Sequence, residues 1–128
     1  MKCLKLVQSG FPARIAIAVA AVLIAGSVLA HHGWSTYDEE KTLKLEGVIQ
    51  SSTYENPHGT MKFKVSGEKG KVWNTVLAPP SRMTSRGLTK DMLKEGTTAT
   101  VVGYPSKEKP DEMRAENVTI GGKKVELR

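Results

Sequence analysis

Thiol chemistry is almost missing from this 128-residue chain, whose one cysteine, Cys3, precedes a long apolar run. After residue 30 no cysteine is left, so neither disulfides nor a thiolate can enter the chemistry there. A thiol-free domain suits an oxidising compartment such as the bacterial periplasm. Aromatic residues are scarce at 5%, which weighs against the base-stacking platform that a nucleic-acid barrel needs. No glycine-rich phosphate loop follows a strand, no serine occupies a nucleophile elbow, and no helix carries the histidine pair of a zinc hydrolase. Acidic residues are absent before Asp38.

The residues ahead of that point have a different organisation. Lys2, Lys5 and Arg14 form a positive region, Ile15 to Ala25 is an unbroken apolar run, and Gly26-Ser27-Val28-Leu29-Ala30 ends on small residues. That order is the pattern of a secretory signal peptide over 1–30, cleaved after Ala30. The apolar run is shorter than the ~20 residues a spanning helix requires, so cleavage is favoured over retention as an anchor and no membrane contact is expected afterwards. Removing the signal leaves sixteen basic residues against thirteen acidic ones, a formal charge of +3. A balance this small, spread along the chain, reads as a solvated surface and gives little reason to expect nucleic-acid or membrane partners.

After the signal, residues 31–42 read as a polar N-terminal arm holding Trp34 and Tyr37, and 43–128 as one domain. Leu43, Leu45, Val48 and Ile49 read as a strand, with Gly47 at a bulge that switches its facing. Tyr54 to Gly59 is a turn, and Met61, Phe63 and Val65 alternate with Lys62 and Lys64 as a half-buried strand. A Gly67–Gly70 hairpin leads to a returning strand over Val72–Leu77. Pro79-Pro80 ends it, and a short helix capped by Ser81 is expected to run to Arg86 and stop at Gly87. Thr97–Gly103 and a last hairpin around Gly121-Gly122 complete the set. Five strands with one short helix between the third and fourth make a mainly β fold, a small five-stranded OB-like Greek-key barrel. An open β-sandwich is the competing plan.

All three histidines fall in two short motifs: His31-His32 at the expected new N-terminus, and His58 in Asn56-Pro57-His58. Cleavage after Ala30 gives His31 a free α-amine beside its own imidazole, and that pair can chelate one metal ion. A further imidazole from His58, on a turn stiffened by Pro57, or from His32, completes a three-nitrogen set. Nitrogen donors in tetragonal array favour copper(II), which also heads the divalent affinity order. The plain alternative is that the two terminal histidines belong to a flexible arm and that His58 bonds the backbone of its own turn. The carboxylates suggest no catalytic pair, because Asp38-Glu39-Glu40 is a solvated run and Glu108, Asp111 and Glu112 belong to a loop.

Ala30-His31-His32-Gly33-Trp34, Leu45-Glu46-Gly47, Asn56-Pro57-His58, and Leu93-Lys94-Glu95-Gly96 leading to Thr100-Val101-Val102-Gly103-Tyr104-Pro105 together resemble an exported bacterial family, domain of unknown function 6152. The likeness runs from Ala30 to about Val118. Members commonly read Ala-His-His-Ser-Phe at the start and Leu-Lys-Pro-Gly before the later strand; here Gly33-Trp34 and Glu95 depart from that, and Tyr54 stands where tryptophan is common. The resemblance implies a small exported barrel-like protein with His31, His32 and His58 at the family's motif positions, and it supplies no activity.

The leading expectation is therefore a periplasmic or secreted binding protein that holds copper or another divalent metal through His31, His32 and His58, without turnover. The alternative is a metal-free adaptor or envelope-stress module that binds a protein or small ligand through the barrel face. A third reading is a copper redox enzyme using the same three nitrogens.

Overall fold

The computed structural model describes residues 33–67 and 69–128. The expected signal, residues 1–30, and the candidate ligands His31 and His32 lie outside the described residues. Residues 33–128 form one compact unit. Strand β1 (Leu43–Thr53) is paired antiparallel with β2 (Thr60–Val65) on one side and β4 (Thr98–Pro105) on the other. The next strand, β3 (Val72–Val76), is antiparallel to β2, while β5 (Glu112–Ile120) is antiparallel to β4. A parallel pairing of β3 with β5, Asn74 to Val76 against Glu112 to Arg114, closes the circuit into a five-stranded barrel. This is the expected OB-like plan. A sixth strand, β6 (Lys123–Glu126), forms a hairpin with β5 alone.

Alternation in the sequence sets the barrel wall. Leu45, Gly47 and Ile49 of β1 and Met61, Phe63 and Val65 of β2 face inward, while Lys44, Glu46, Lys62 and Lys64 face out. The facing therefore does not switch at Gly47. The irregularity lies between Ile49 and Ser51, and Gly47 has another purpose: a Cβ there would sit 2.1 Å from the Lys64 carbonyl oxygen. The missing side chain lets β1 and β2 approach.

Helix α1 (Pro80–Ser85) and a 3-10 turn (Lys90–Leu93) close one end of the barrel with Met83, Leu88 and Leu93, all fully buried. Ser81 does not cap α1. The helix begins two residues earlier than a Ser81 cap would start it, with Pro79 at the N-cap position and proline in its first turn, where a missing N–H costs nothing. Gly87 does stop it, in the left-handed region at φ +85. At and just beyond the end of β6, Arg82 of α1 and Arg86 just after it take up backbone carbonyls. Arg82 Nη1 donates to Leu127 O at 3.2 Å, and Arg86 Nη1 donates to Glu126 O and Arg128 O at 2.8 Å each.

The arm is less irregular than its composition suggests. Asp38 N–H donates to Pro105 O and Lys107 N–H to Thr36 O, each at 2.9 Å, and Tyr37 forms a β-bridge with Ser106. These bonds lay residues 36–38 along the end of β4.

Candidate functional site

His58 sits in the loop joining β1 to β2, and that loop is held from several sides. The Gly59 N–H donates to Ala78 O at 2.9 Å, and Leu77 N–H donates to Gly59 O at 2.8 Å. The Tyr54 hydroxyl donates to Leu88 O at 2.7 Å and lies 2.8 Å from Thr84 Oγ1. The Asn56-Pro57 peptide is cis. A histidine presented on such a turn has a fixed position, half-buried, instead of sampling solvent.

What it meets is an arginine. Met113 and Ala115 of β5 point into the core, so the intervening Arg114 points out of the barrel. The arm covers it there and leaves it only 7% exposed. Arg114 Nη1 donates to the Gly33 carbonyl at 2.6 Å, and Nη2 lies 3.3 Å from His58 Nε2. The guanidinium carbon stands 4.2 Å from the Trp34 ring centroid and 6.0 Å from that of Tyr37. Trp34 also receives the Arg128 guanidinium at 4.4 Å and the edge of Tyr104. Local backbone shape helps to place Arg114. The β4–β5 register shifts between Val102 and Gly103, and a Cβ on Gly103 would lie 2.1 Å from the Arg114 carbonyl oxygen. Glycine lets the two strands come together at that point.

The electrostatics of this end are unusual. All four arginines after residue 30, Arg82, Arg86, Arg114 and Arg128, gather here, whereas the lysines are spread along the chain. Among the described residues only Arg128 has a carboxylate partner, Glu39 at 2.5 Å. Arg114 has none, and its buried Nε has no hydrogen-bond partner. Burial pulls the Arg114 pKa down; the Arg82 and Arg128 charges act the same way, and Tyr37 opposes them. Arginine nonetheless stays protonated. His58 is likewise held below its usual 6.5, first by burial and then by the Arg114 and Arg82 charges. Tyr37 is pushed well above its ordinary value by burial and by the bond its hydroxyl donates to Glu112 Oε1 at 2.7 Å.

A tautomer follows from this arrangement. A guanidinium can only donate, so a neutral His58 accepts at Nε2 and carries its proton on Nδ1. The side chain that meets Arg114 Nη2 is thus a neutral acceptor, beside the faces of Trp34 and Tyr37.

Of the three expected metal ligands, His58 alone is among the described residues, and these contain no cluster of three His, Cys, Asp or Glu side chains that could hold an ion. Arg114 and its partners Trp34 and Tyr37 were not evident as site residues in the sequence. Arg114 follows Met113 in an alternating strand and reads as an ordinary outward charge. The one available signal was that arginine and lysine are distributed differently. A separate groove of about 250 Å³ is lined by Ser51, Thr53, Thr60, Lys62, Asn74 and Glu112, and it holds no histidine and no aromatic residue.

No curated protein matches this chain. Among solved structures, a complex of TiaS with tRNA and ATP matches 72% of the chain at 20% identity and a TM-score of 0.45. The chain spans only 20% of that protein. A family model matches residues 18–113, a span that takes in all three histidines, and the chain accordingly belongs to the family of unknown function DUF6152.

Proposed function

We propose that this chain is an exported, non-catalytic binding protein, and that its ligand is held at the Arg114–His58 end of the barrel. The observation that carries this reading is Arg114, a charge 93% removed from solvent with one carbonyl, one long contact to an imidazole, aromatic faces and no carboxylate. Burying a charge without a counter-charge costs several kcal/mol, of the order attributed to uncompensated ions. Proteins retain such costs most often at functional sites. The export signal read over residues 1–30 supports a periplasmic location.

Replacing Arg114 by methionine tests this without knowledge of the ligand. Methionine keeps the packing against Trp34 and removes the buried charge. If the charge is held for a ligand, Arg114→Met melts at or above the parent temperature. If Arg114 serves mainly to pin the arm, the variant melts lower, by roughly 4 °C or more for a loss near 1 kcal/mol.

A divalent metal, copper by preference, bound through His31, His32 and His58 is a second reading, and two observations favour it. His58 is kept neutral near pH 7, as a ligand must be. Gly33, which follows His32 in the chain, shares the Arg114 guanidinium with His58. On this reading a metal takes the Nε2 lone pair that Arg114 now engages, so the guanidinium must withdraw. Copper(II) titration of the exported protein checks it. His58→Ala should weaken binding, one extra residue ahead of His31 should weaken it by blocking the free amine, and Arg114→Gln should tighten it. Unchanged affinity in the first two would refute the site.

A further inference from the structure

We infer that residues 33–41 form a strap that lifts off the barrel as a unit, with the Tyr37–Glu112 hydrogen bond as its latch. Lifting it bares Arg114 and joins it to the groove of about 250 Å³ that Glu112 lines. The inference rests on the proposed ligand-binding end and names the part that must move before a ligand can reach it.

The arm is what hides Arg114, through the Gly33 carbonyl at 2.6 Å and the faces of Trp34 and Tyr37. Nothing in the core holds the arm in turn, because none of its residues belongs to the apolar cluster inside the barrel. It docks by backbone bonds, Asp38 N–H to Pro105 O and Lys107 N–H to Thr36 O, and by polar side chains. Lys107 Nζ donates to Ser35 O at 3.1 Å, Glu39 pairs with Arg128, and the Tyr37 hydroxyl donates to Glu112 Oε1 at 2.7 Å. A hollow of about 480 Å³ beside the arm, lined by Trp34, Tyr37, Asp38 and Lys107 among others, leaves the packing open. A segment with few buried apolar contacts opens at a fraction of the global unfolding free energy. The pivot is present as well. Glu39 to Thr42 are exposed and β1 starts at Leu43, so the arm can swing without breaking a barrel strand.

Tyr37 stands where the two halves of the site meet. Across β2, β3 and β5 the register aligns Lys62, Asn74 and Glu112, and beside them Thr60, Val76 and Arg114. The groove residues Asn74 and Val76 are therefore one strand spacing, about 4.8 Å, from Glu112 and Arg114. The Tyr37 hydroxyl holds Glu112 at the edge of the groove while its ring stands beside the guanidinium. One side chain spans the boundary.

The charges of β5 fit a closed state that can open. Glu112 and Glu116 lie two residues either side of Arg114, yet each is taken by a phenol, Glu112 by Tyr37 and Glu116 by Tyr104. Lys109 also pairs with Glu112 at 3.5 Å. Lifting the strap removes Tyr37 from Glu112 and Gly33 from Arg114 together. The surface that appears carries a cation and a carboxylate, with the groove hydroxyls and the Asn74 amide beyond them. It suits a ligand that both accepts and donates hydrogen bonds.

Amide hydrogen exchange of the exported protein tests the strap with no ligand present. Asp38 N–H and Lys107 N–H are freed when the arm leaves, whereas Ser106 N–H stays bonded to Glu112 O and Ile49 N–H to Thr97 O. The first pair should exchange together, on the order of a hundredfold faster than the second. Tyr37→Phe keeps the ring, removes the latch, and should speed the arm amides about fivefold, the worth of one hydrogen bond. Barrel amides should not change. Initial rates of modification by phenylglyoxal, mapped by mass spectrometry, report the guanidinium itself. Arg114 should gain the same factor in Tyr37→Phe, and the exposed Arg82 should gain nothing. Arm amides no faster than Ile49 would overturn the strap, as would exchange in step with Ser106, which is fraying of the β4–β5 end. An Arg114 rate that stays constant while the arm amides quicken would overturn it too. A lower melting point of Arg114→Met would instead refute the ligand-binding end and leave these rates as they are.

Discussion

Strand β5 buries neighbouring residues of opposite chemistry on its two faces to nearly the same depth. On the inside, Met113, Ala115 and Val118 meet Phe63, Val101 and the rest of an apolar core. On the outside, Arg114 is 7% exposed and meets a carbonyl, an imidazole and aromatic rings. Burial on the inner face stabilises through area, at about 25 cal/mol per Å² of apolar surface. Burial on the outer face removes a charge from water and returns little. The difference separates what the barrel needs to fold from what it holds for another purpose.

The sharpest way to break the comparison is to disturb both faces at once. Gly103→Val places a side chain against the Arg114 backbone, where even a Cβ would meet oxygen at 2.1 Å. The expected loss is about 4 kcal/mol or more, in the exceptional range for one substitution, read by urea unfolding. Cutting only the inner face is milder. Met113→Ala should cost about 2–5 kcal/mol, with the value set by how far the core collapses around the gap. That loss contrasts with the absence of one expected for Arg114→Met, one residue along the same strand.

Smaller effects belong to the loop that carries His58. Tyr54→Phe removes the hydroxyl that donates to Leu88 O at 2.7 Å and should cost about 1 kcal/mol. It should also loosen His58, seen as faster amide exchange over residues 54–59. The smallest effect is a pH dependence. His58 has a lower pKa folded than unfolded, so the unfolded chain binds more protons in that interval. Its contribution to stability is present above the unfolded value of about 6.5 and is lost as pH falls below it, through the folded pKa. His58→Gln should flatten that part of the stability profile between about pH 7.5 and 5.5, a window set around the unfolded value, whereas a slope equal to the parent's would assign it to other groups.

Most of the barrel was legible in the sequence because alternation writes the inner face directly. Met61, Phe63 and Val65 against Lys62 and Lys64 could be read only one way. The hairpins were equally plain, since Gly67, Gly70, Gly121 and Gly122 all take positive φ. Gly47 misleads because a glycine in a strand signals either a bulge or a close approach, and only the neighbouring strand decides which. Ser81 misleads because proline at the first helical position starts a helix as well as a capping serine does. The candidate site was legible in half. Asn56-Pro57-His58 announced itself as a rigid turn, but nothing local marks Arg114. Its importance comes from the arm folding over an outward position of β5, a contact across 81 residues in the case of Gly33.

The central claim is that the Arg114 charge is kept for a ligand at some expense to the fold. The most direct measurement is the melting temperature of the parent and Arg114→Met at the same ionic strength. Methionine keeps the apolar packing and removes the buried charge, so the account predicts that Arg114→Met melts at or above the parent. A variant that melts lower by about 4 °C or more, a loss near 1 kcal/mol, would contradict it.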